Sequence, residues 1–276
     1  MEASRFCCKP EFFLESFHHY LIHYILHGEE KVLKEHLLEE ISRKSEIKRE
    51  LEECFSSLEA GGIDSFAAAI HQRILSYKVK FPLLEYCGQE IVHRVKPEEH
   101  LEICEKLTGS QTIGENVLIG TILKLRLGLN FDESINKAIK YISESWDWYV
   151  SDIIGERVFG HAFLNYPGRM IDTFEKLKSH ESKWVVRAIG SGCHNAIKWG
   201  LPKPEVEEAF KVLLSLSGAK DHHIRRGIGW AAKTTAKFHP DIIQKFEEEI
   251  YSKGVGSWFR TKIKIGLSRH SYGLRN

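Results

Sequence analysis

Residues 221–240 have the sequence DHHIRRGIGWAAKTTAKFHP, which begins with an aspartate and ends at a proline. Aspartate is a preferred N-cap residue and proline disrupts a helix interior, so Asp221 and Pro240 bound one predicted helix. A second amphipathic helix is predicted to begin at Pro240, after a short turn. This segment therefore predicts a helical hairpin.

The hairpin pattern recurs through the C-terminal half of the chain. Trp148, Arg187 and Arg226 are spaced 39 residues apart, close to the roughly 40 to 47 residues of a HEAT unit. Stacked hairpins bury a continuous core and form a solenoid with a concave face. The predicted fold class is all-α, a right-handed curved α-solenoid of HEAT-like helical-hairpin repeats. The first helices of these hairpins are predicted to begin at Ser145, Ser182, Asp221 and Ser257.

The whole chain, residues 1–276, is predicted to form a single solenoid with three parts. Residues 1–62 form an acidic N-terminal helical cap or extension, in which Pro10 opens the first helix and Gly61 and Gly62 end the last. Residues 63–144 form less regular repeats. Residues 145–276 form the regular repeats that carry the functional surface.

Composition excludes several classes of protein. With 42% hydrophobic and 28% charged residues, the chain is neither disordered nor membrane-embedded. Its six cysteines include no CxxC pair, so neither a zinc site nor a disulfide framework is indicated. There is no GxGxxG loop, no P-loop and no signal peptide. We expect an intracellular protein without a membrane partner, metal or small-molecule cofactor, cytoplasmic and nucleoid-associated if prokaryotic, and monomeric.

Charge is distributed unevenly along the chain, although the net charge is only +1. Residues 182–276 contain 17 lysines and arginines against 8 acidic residues, whereas residues 1–181 contain 22 against 30. Binding of a polyanion depends on local potential rather than on total charge. The basic C-terminal third is therefore predicted to contact nucleic acid.

The unusual residues of the first helices are predicted to converge on the concave face, because equivalent helices of a solenoid line the same side. Trp148 and Asp152 are four residues apart, so they share one helical face. With Trp230 and Arg187 they suit a cationic base on a phosphate backbone: indoles attract cations, Arg binds phosphate, and Asp stabilises an oxocarbenium-like sugar. The candidate catalytic residues are Asp152, Trp148 and Trp230, and the candidate DNA-binding residues are Arg187, Arg225, Arg226, Lys233, Arg260 and Lys262.

At these positions the chain resembles the AlkD-like DNA glycosylases of HEAT-repeat architecture, which remove alkylated purines. The resemblance covers about residues 140 to 270 and rests on Trp148-Tyr-Val-Ser-Asp152, Trp184-Val-Val-Arg187-Ala and Ile224-Arg-Arg-Gly-Ile-Gly-Trp230-Ala-Ala-Lys233. It implies that Asp152 is the catalytic carboxylate, which stabilises the sugar and positions water. It also implies that Trp148 and Trp230 flank the lesion, that Arg187 contacts the DNA backbone, and that the damaged nucleotide is not flipped.

The chain departs from the family pattern at two positions that affect phosphate binding. Val186 stands where the family commonly has an arginine, and Lys233 stands where an arginine is frequent.

The resemblance implies a partner, which is duplex DNA carrying cationic alkylpurines such as 3-methyladenine and 7-methylguanine. Two alternatives remain open: a HEAT-repeat protein that binds DNA backbone or distorted DNA without cleavage, and a protein-binding scaffold.

Three structural readings compete with these roles. Arg187 could form a salt bridge within the solenoid instead of binding phosphate. Arg225 and Arg226 are adjacent, so at most one of them faces the groove squarely. The remaining tryptophans are interpreted mainly as packing residues: Trp146, Trp184, Trp199 and Trp258.

Overall fold

The computed structural model describes residues 39–109 and 111–273, with side chains described as far as His270. The predicted helix that begins at Pro10, and most of the predicted N-terminal cap, lie outside these residues. The described part is almost entirely helical. Its helices are α1 (Lys44–Ile70), α2 (Phe81–Arg94), α3 (His100–Leu107), α4 (Ile113–Arg126), α5 (Phe131–Ser143), α6 (Trp148–Ile154), α7 (His161–Asn165), α8 (Pro167–Leu177), α9 (Lys183–Lys198), α10 (Lys203–Ser215), α11 (His222–Phe238), α12 (Pro240–Lys245), α13 (Glu247–Tyr251) and α14 (Ser257–Gly273).

Four short elements accompany these α-helices in the described part of the chain. Strands β1 (Glu40–Ile41) and β2 (Lys78–Val79) pair in parallel. Two π-helical turns, His71–Leu75 and Gly155–Gly160, continue α1 and α6. The second turn joins α6 to α7, so α6, the turn and α7 form one continuous helical segment.

Six helices pack side by side in a single row, in the order α2, α4, α6, α9, α11, α14. We call this the inner row. The helices between them in sequence pack behind it and complete the hairpins, as α5 does behind α4 and α12 behind α11. The prediction of an all-α solenoid of stacked helical hairpins is confirmed.

Glycines allow the inner helices to approach closely at α9 and α11. A Cβ atom on Gly190 would lie 2.2 Å from the backbone carbon and oxygen of Gly227, and one on Gly227 would lie 2.5 Å from the carbonyl oxygen of Arg187. No other residue fits at such a crossing. These glycines therefore allow the short separation of α9 and α11. That the inner row lines a concave face stays a prediction.

Most predicted helix boundaries agree with the structure. Asp221 caps α11 by accepting hydrogen bonds from the backbone N–H groups of His223 and Ile224, and α14 begins at Ser257. Gly62 breaks the helical path of α1 with φ 71° and ψ −164°, where a helix end was predicted. The predicted start at Ser145 is wrong by three residues: Asp147 accepts from the N–H of Trp148, so it caps α6.

Two of the four tryptophans interpreted as packing residues are exposed, so that interpretation is wrong for them. Trp146 is 62% exposed in the turn before α6, and Trp199 is 52% exposed at the end of α9. Trp184 is buried, and Trp258 is half-buried against the core. In the described part of the chain, no helix is long and apolar enough to cross a bilayer.

Candidate functional site

The first helix of the site is α6, which places Trp148 and Asp152 one turn apart. The indole of Trp148 is half-buried, whereas Asp152 is only 2% exposed. The helix packs tightly on α9, since a Cβ atom on Gly155 would lie 3.1 Å from the carbonyl oxygen of Ala188. This close packing brings the Asp152 carboxylate to the side chains of α9.

Asp152 is held in a buried, bidentate ion pair with Arg187. The Arg187 Nε atom donates to Asp152 Oδ1 at 2.9 Å, and Nη2 donates to Oδ2 at 2.7 Å. The Ser191 hydroxyl donates to Oδ1 at 2.6 Å. A carboxylate offers about four acceptor positions, so these three bonds leave one position, on Oδ2.

Arg187 is itself almost fully buried, with 5% of its surface exposed. Its Nη1 atom donates to the carbonyl oxygen of His223 at 3.3 Å, and its guanidinium carbon lies 5.4 Å from the centre of the Trp148 ring. Arg187 was predicted either to bind DNA phosphate or to form a salt bridge within the solenoid, and the structure shows the salt bridge. Contact with a DNA phosphate stays a prediction.

Trp230, on α11, adjoins the same stripe of α9 from the other side. Its indole is half-buried and stacks on the His194 ring, with ring centres 4.0 Å apart. Arg187, Ser191 and His194 lie at positions i, i+4 and i+7 of α9, which places them on one helical face. The structure thus brings Trp148, Asp152 and Trp230 around one stripe of α9 on the inner row.

The orientation of Trp230 depends on His194, which sequence analysis missed. The Thr234 hydroxyl donates to the Trp230 carbonyl oxygen at 3.0 Å and lies 2.7 Å from His194 Nδ1. Because that hydroxyl proton is already used, Nδ1 carries the proton and donates to Thr234. Burial, with Lys198, Lys233 and Lys237 nearby, lowers the pKa of His194 well below its usual value. A neutral imidazole therefore supports the indole.

The 39-residue step that revealed the repeat also contained the signal for the missed residues. The residues 39 and 78 positions after Asp152 are Ser191 and Trp230. The residue 39 positions after His194 is Lys233. Each repeat thus places a different chemical group at the same position of the inner row. Only the packing of α6, α9 and α11 shows that these equivalent positions touch one another.

The basic residues of α11 and α14 form a cluster beside Trp230. Arg226, Trp230, Lys233 and Lys237 occupy positions i, i+4, i+7 and i+11 of α11 and so share a stripe. Burial lowers the pKa of Lys233 to about 8, and the charged groups that add to this effect are all cations: Arg269, Lys262 and Lys237. Burial also lowers the pKa of Lys262, with Arg226 and Arg269 nearby. We call Arg226, Lys233, Lys237, Lys262 and Arg269 the basic cluster.

The two remaining predicted DNA-binding residues, Arg225 and Arg260, lie in the first turns of α11 and α14. The guanidinium carbon of Arg225 is 5.6 Å from the centre of the Trp258 ring, whereas the adjacent Arg226 is exposed and donates to His222. The two arginines diverge, as predicted. Arg260 is half-buried in the first turn of α14.

The site's chemistry is that of an aromatic and ionic surface. Within residues 39–109 and 111–273, no group of three or more His, Cys, Asp or Glu side chains could hold a metal ion. Two indoles, a carboxylate–guanidinium pair and a basic cluster are instead arranged on one side of a helical repeat. Such an arrangement defines a helical-repeat protein suited to a polyanion with aromatic or cationic groups.

Comparison with known proteins gives the family. Residues 77–258, more than half of the chain, match the family described as DNA alkylation repair enzyme, and the chain belongs to this family. It is therefore an enzyme of alkylation-related DNA repair by family. No curated protein matches.

Two solved structures from Streptococcus mutans share the fold. AlkD2 superposes with a TM-score of 0.61 at 13% identity, covering 74% of this chain and 97% of the other. The smu.31 protein of strain UA159 superposes with a TM-score of 0.60 at 12% identity and the same coverage. At these identities the likeness is one of fold.

Proposed function

We propose that this protein is a DNA glycosylase that hydrolyses the N-glycosidic bond of N3- or N7-alkylated purines in duplex DNA without flipping the damaged nucleotide. It acts as a cytoplasmic monomer, with water as the only co-reactant and without metal or cofactor. The observation that carries this proposal is the buried Asp152–Arg187 pair between two half-buried indoles on the inner row.

The chemistry of the lesion explains why so small a set of groups suffices. A purine alkylated at N3 or N7 carries a positive charge, so it departs as a neutral base when the glycosidic electrons move onto its nitrogen. Positive charge then develops on the sugar, where a carboxylate stabilises it. In this proposal the Asp152 carboxylate faces that sugar, and the Trp148 and Trp230 indoles attract the cationic nucleotide.

Release of base from methylated duplex DNA tests this function directly. We expect the wild-type protein to release 7-methylguanine or 3-methyladenine and to leave an abasic site. Unmodified duplex, in which the purine is neutral and a poor leaving group, is the control substrate. Absence of base release from every methylated duplex tested would refute the glycosylase proposal.

Removing either indole is expected to slow base release. Trp148→Ala or Trp230→Ala should reduce the single-turnover rate about tenfold, because a cation–π contact in a desolvated site is worth roughly 1 to 2 kcal/mol. Trp199→Ala, which removes an exposed indole at the end of α9, is the matched control and should keep the wild-type rate. Equal rates for all three variants would remove the two indoles from the reaction.

Neutralising the basic cluster is expected to weaken DNA binding in a salt-dependent way. Lys262→Gln and Lys233→Gln should each lower the slope of log K against log salt by about 0.9, the value for one lost phosphate contact. Because the pKa of Lys233 is about 8, its contribution should decline as pH rises through that value. Lys211→Gln, on exposed α10 surface behind the inner row, is the control. An unchanged slope in the first two variants would contradict a phosphate contact.

One observation favours a second candidate function, DNA binding without cleavage. Arg187 and Ser191 already occupy three acceptor positions of Asp152, and the pair is buried. A glycosylase would need Arg187 to turn partly toward a DNA phosphate, which competes well for a guanidinium. Tight, salt-dependent binding of duplex DNA with no base release would establish this second function.

A further inference from the structure

A second carboxylate follows Asp152 on the same side of the helical segment. Glu156 lies four residues after Asp152, at the start of the π-helical turn Gly155–Gly160. π-Helical turns are rare and often occur at functional sites, because they shift side chains from their α-helical positions. Unlike Asp152, the Glu156 side chain is only half-buried.

Arg157, one of the two cations near Glu156, donates its hydrogen bonds to other acceptors. Arg157 donates through Nη2 to Glu85 at 2.8 Å and through Nη1 to the carbonyl oxygen of Ile153 at 3.4 Å. Lys198, the other nearby cation, ends the α9 stripe that carries Arg187, Ser191 and His194. Both cations act on the Glu156 carboxylate as nearby charges.

Asp152 and Glu156 lie four residues apart on one continuous helical segment, close enough for the charge of Asp152 to act on Glu156. Side chains four residues apart on a helix have Cβ atoms roughly 5 to 6 Å apart. The Asp152 carboxylate already accepts three hydrogen bonds from Arg187 and Ser191. Glu156 is the partly exposed carboxylate of the two, so an attacking water can reach it.

We propose that Glu156 is the general base that activates the attacking water, an inference that rests on the glycosylase function proposed above. The water oxygen bonds to C1′ of the lesion sugar, and its proton passes to Glu156. The C1′–N bond breaks, and its electron pair neutralises the cationic purine. Glu156 then releases the proton to solvent, so the products are a neutral base, an abasic sugar and one proton.

The charge environment agrees with this role. Burial raises the pKa of Glu156 to about 7; Asp152 and Glu85 add to the rise, and Arg157 and Lys198 oppose it. A general base works best with a pKa near the working pH. Because only the ionised form accepts a proton, the rate of base release should rise with pH through about 7.

The test is single-turnover release of 7-methylguanine from methylated duplex as a function of pH. Glu156→Gln should reduce the rate about a hundredfold above neutral pH and abolish the rise through about pH 7. The dissociation constant for the duplex should stay within about twofold of wild type. Glu156→Asp should recover part of the rate, and Glu208→Gln, an exposed residue of α10, should match the wild type.

Stability gives a second measurement that does not depend on activity. An acid with a raised folded pKa binds more protons when folded, so its contribution to stability is lost as pH rises from the ordinary value of 4.5 to about 7. Glu156→Gln should therefore raise the melting temperature above neutral pH and have less effect at acidic pH. If Glu156→Gln did not raise the melting temperature above neutral pH, the Glu156 carboxyl would not be desolvated as the proposal requires.

The outcomes separate the two proposals. Base release by the wild type that depends on Asp152 but is unchanged in rate and pH profile by Glu156→Gln would overturn the role of Glu156 alone. Absence of base release by the wild type at every pH would overturn both. A slow Glu156→Gln variant with normal folding, normal binding and a flat pH profile is the result that we expect.

Discussion

Asp152→Asn is expected to reduce base release about a hundred- to a thousandfold, the usual effect of removing one preorganised electrostatic group. The amide keeps the shape of the side chain and can still accept a bond from Arg187, but it carries no charge to stabilise the sugar. Single-turnover release of 7-methylguanine measures the effect. Wild-type release by this variant would remove Asp152 from catalysis.

The same substitution is expected to destabilise the fold. Removing one partner of a buried ion pair leaves the other charge uncompensated, at a cost of about 3 to 5 kcal/mol. Since the amide oxygen of the Asp152→Asn variant would still accept from Arg187, we expect the lower end of that range. For a chain of this size, the melting temperature should fall by about 10 °C.

A double variant separates the catalytic effect from the structural one. Replacing both partners by apolar residues, as in Asp152→Leu with Arg187→Met, removes the uncompensated charge and often restores stability. We expect this protein to melt near the wild-type temperature and to release no base. Ser191→Ala, which removes only the hydroxyl donor to Asp152, should cost about 1 kcal/mol.

Gly190→Ala is expected to cost about 3 kcal/mol of folding stability, the upper end of the usual effect of overpacking. The added methyl would lie 2.2 Å from the backbone of Gly227, and backbone cannot move aside as a side chain can. Helices α9 and α11 must therefore separate, which also moves Trp230 away from Asp152. The urea concentration at the unfolding midpoint should fall, and the rate of base release should also fall.

Gly168→Ala is the matched control for that substitution. Gly168 lies near the start of α8, and a Cβ atom there meets nothing within 4 Å. Alanine favours the helix over glycine by up to about 1 kcal/mol, so this variant should be equally stable or more stable. Equal stability of the two variants would contradict the requirement for glycine where α9 crosses α11.

The repeat and most helix boundaries can be predicted from the amino-acid sequence, because they depend on local chemistry. Asp221 and Pro240 bound α11 through capping and through the missing proline N–H group. The 39-residue spacing placed Trp148, Arg187 and Arg226 in equivalent helices. Equivalent helices of a solenoid lie side by side, so the shared face of Trp148, Asp152 and Trp230 followed from sequence spacing alone.

How the side chains on that face pair depends on the packing of neighbouring helices and cannot be predicted from the sequence. Whether Arg187 binds Asp152 or points outward depends on the separation of α6 and α9, which the glycines at their contacts set. The stacking of His194 under Trp230 and the half-buried state of Glu156 also depend on the packing of neighbouring helices. Burial and pairing are properties of contacts between residues about 35 to 40 positions apart, and helical periodicity carries no information about them.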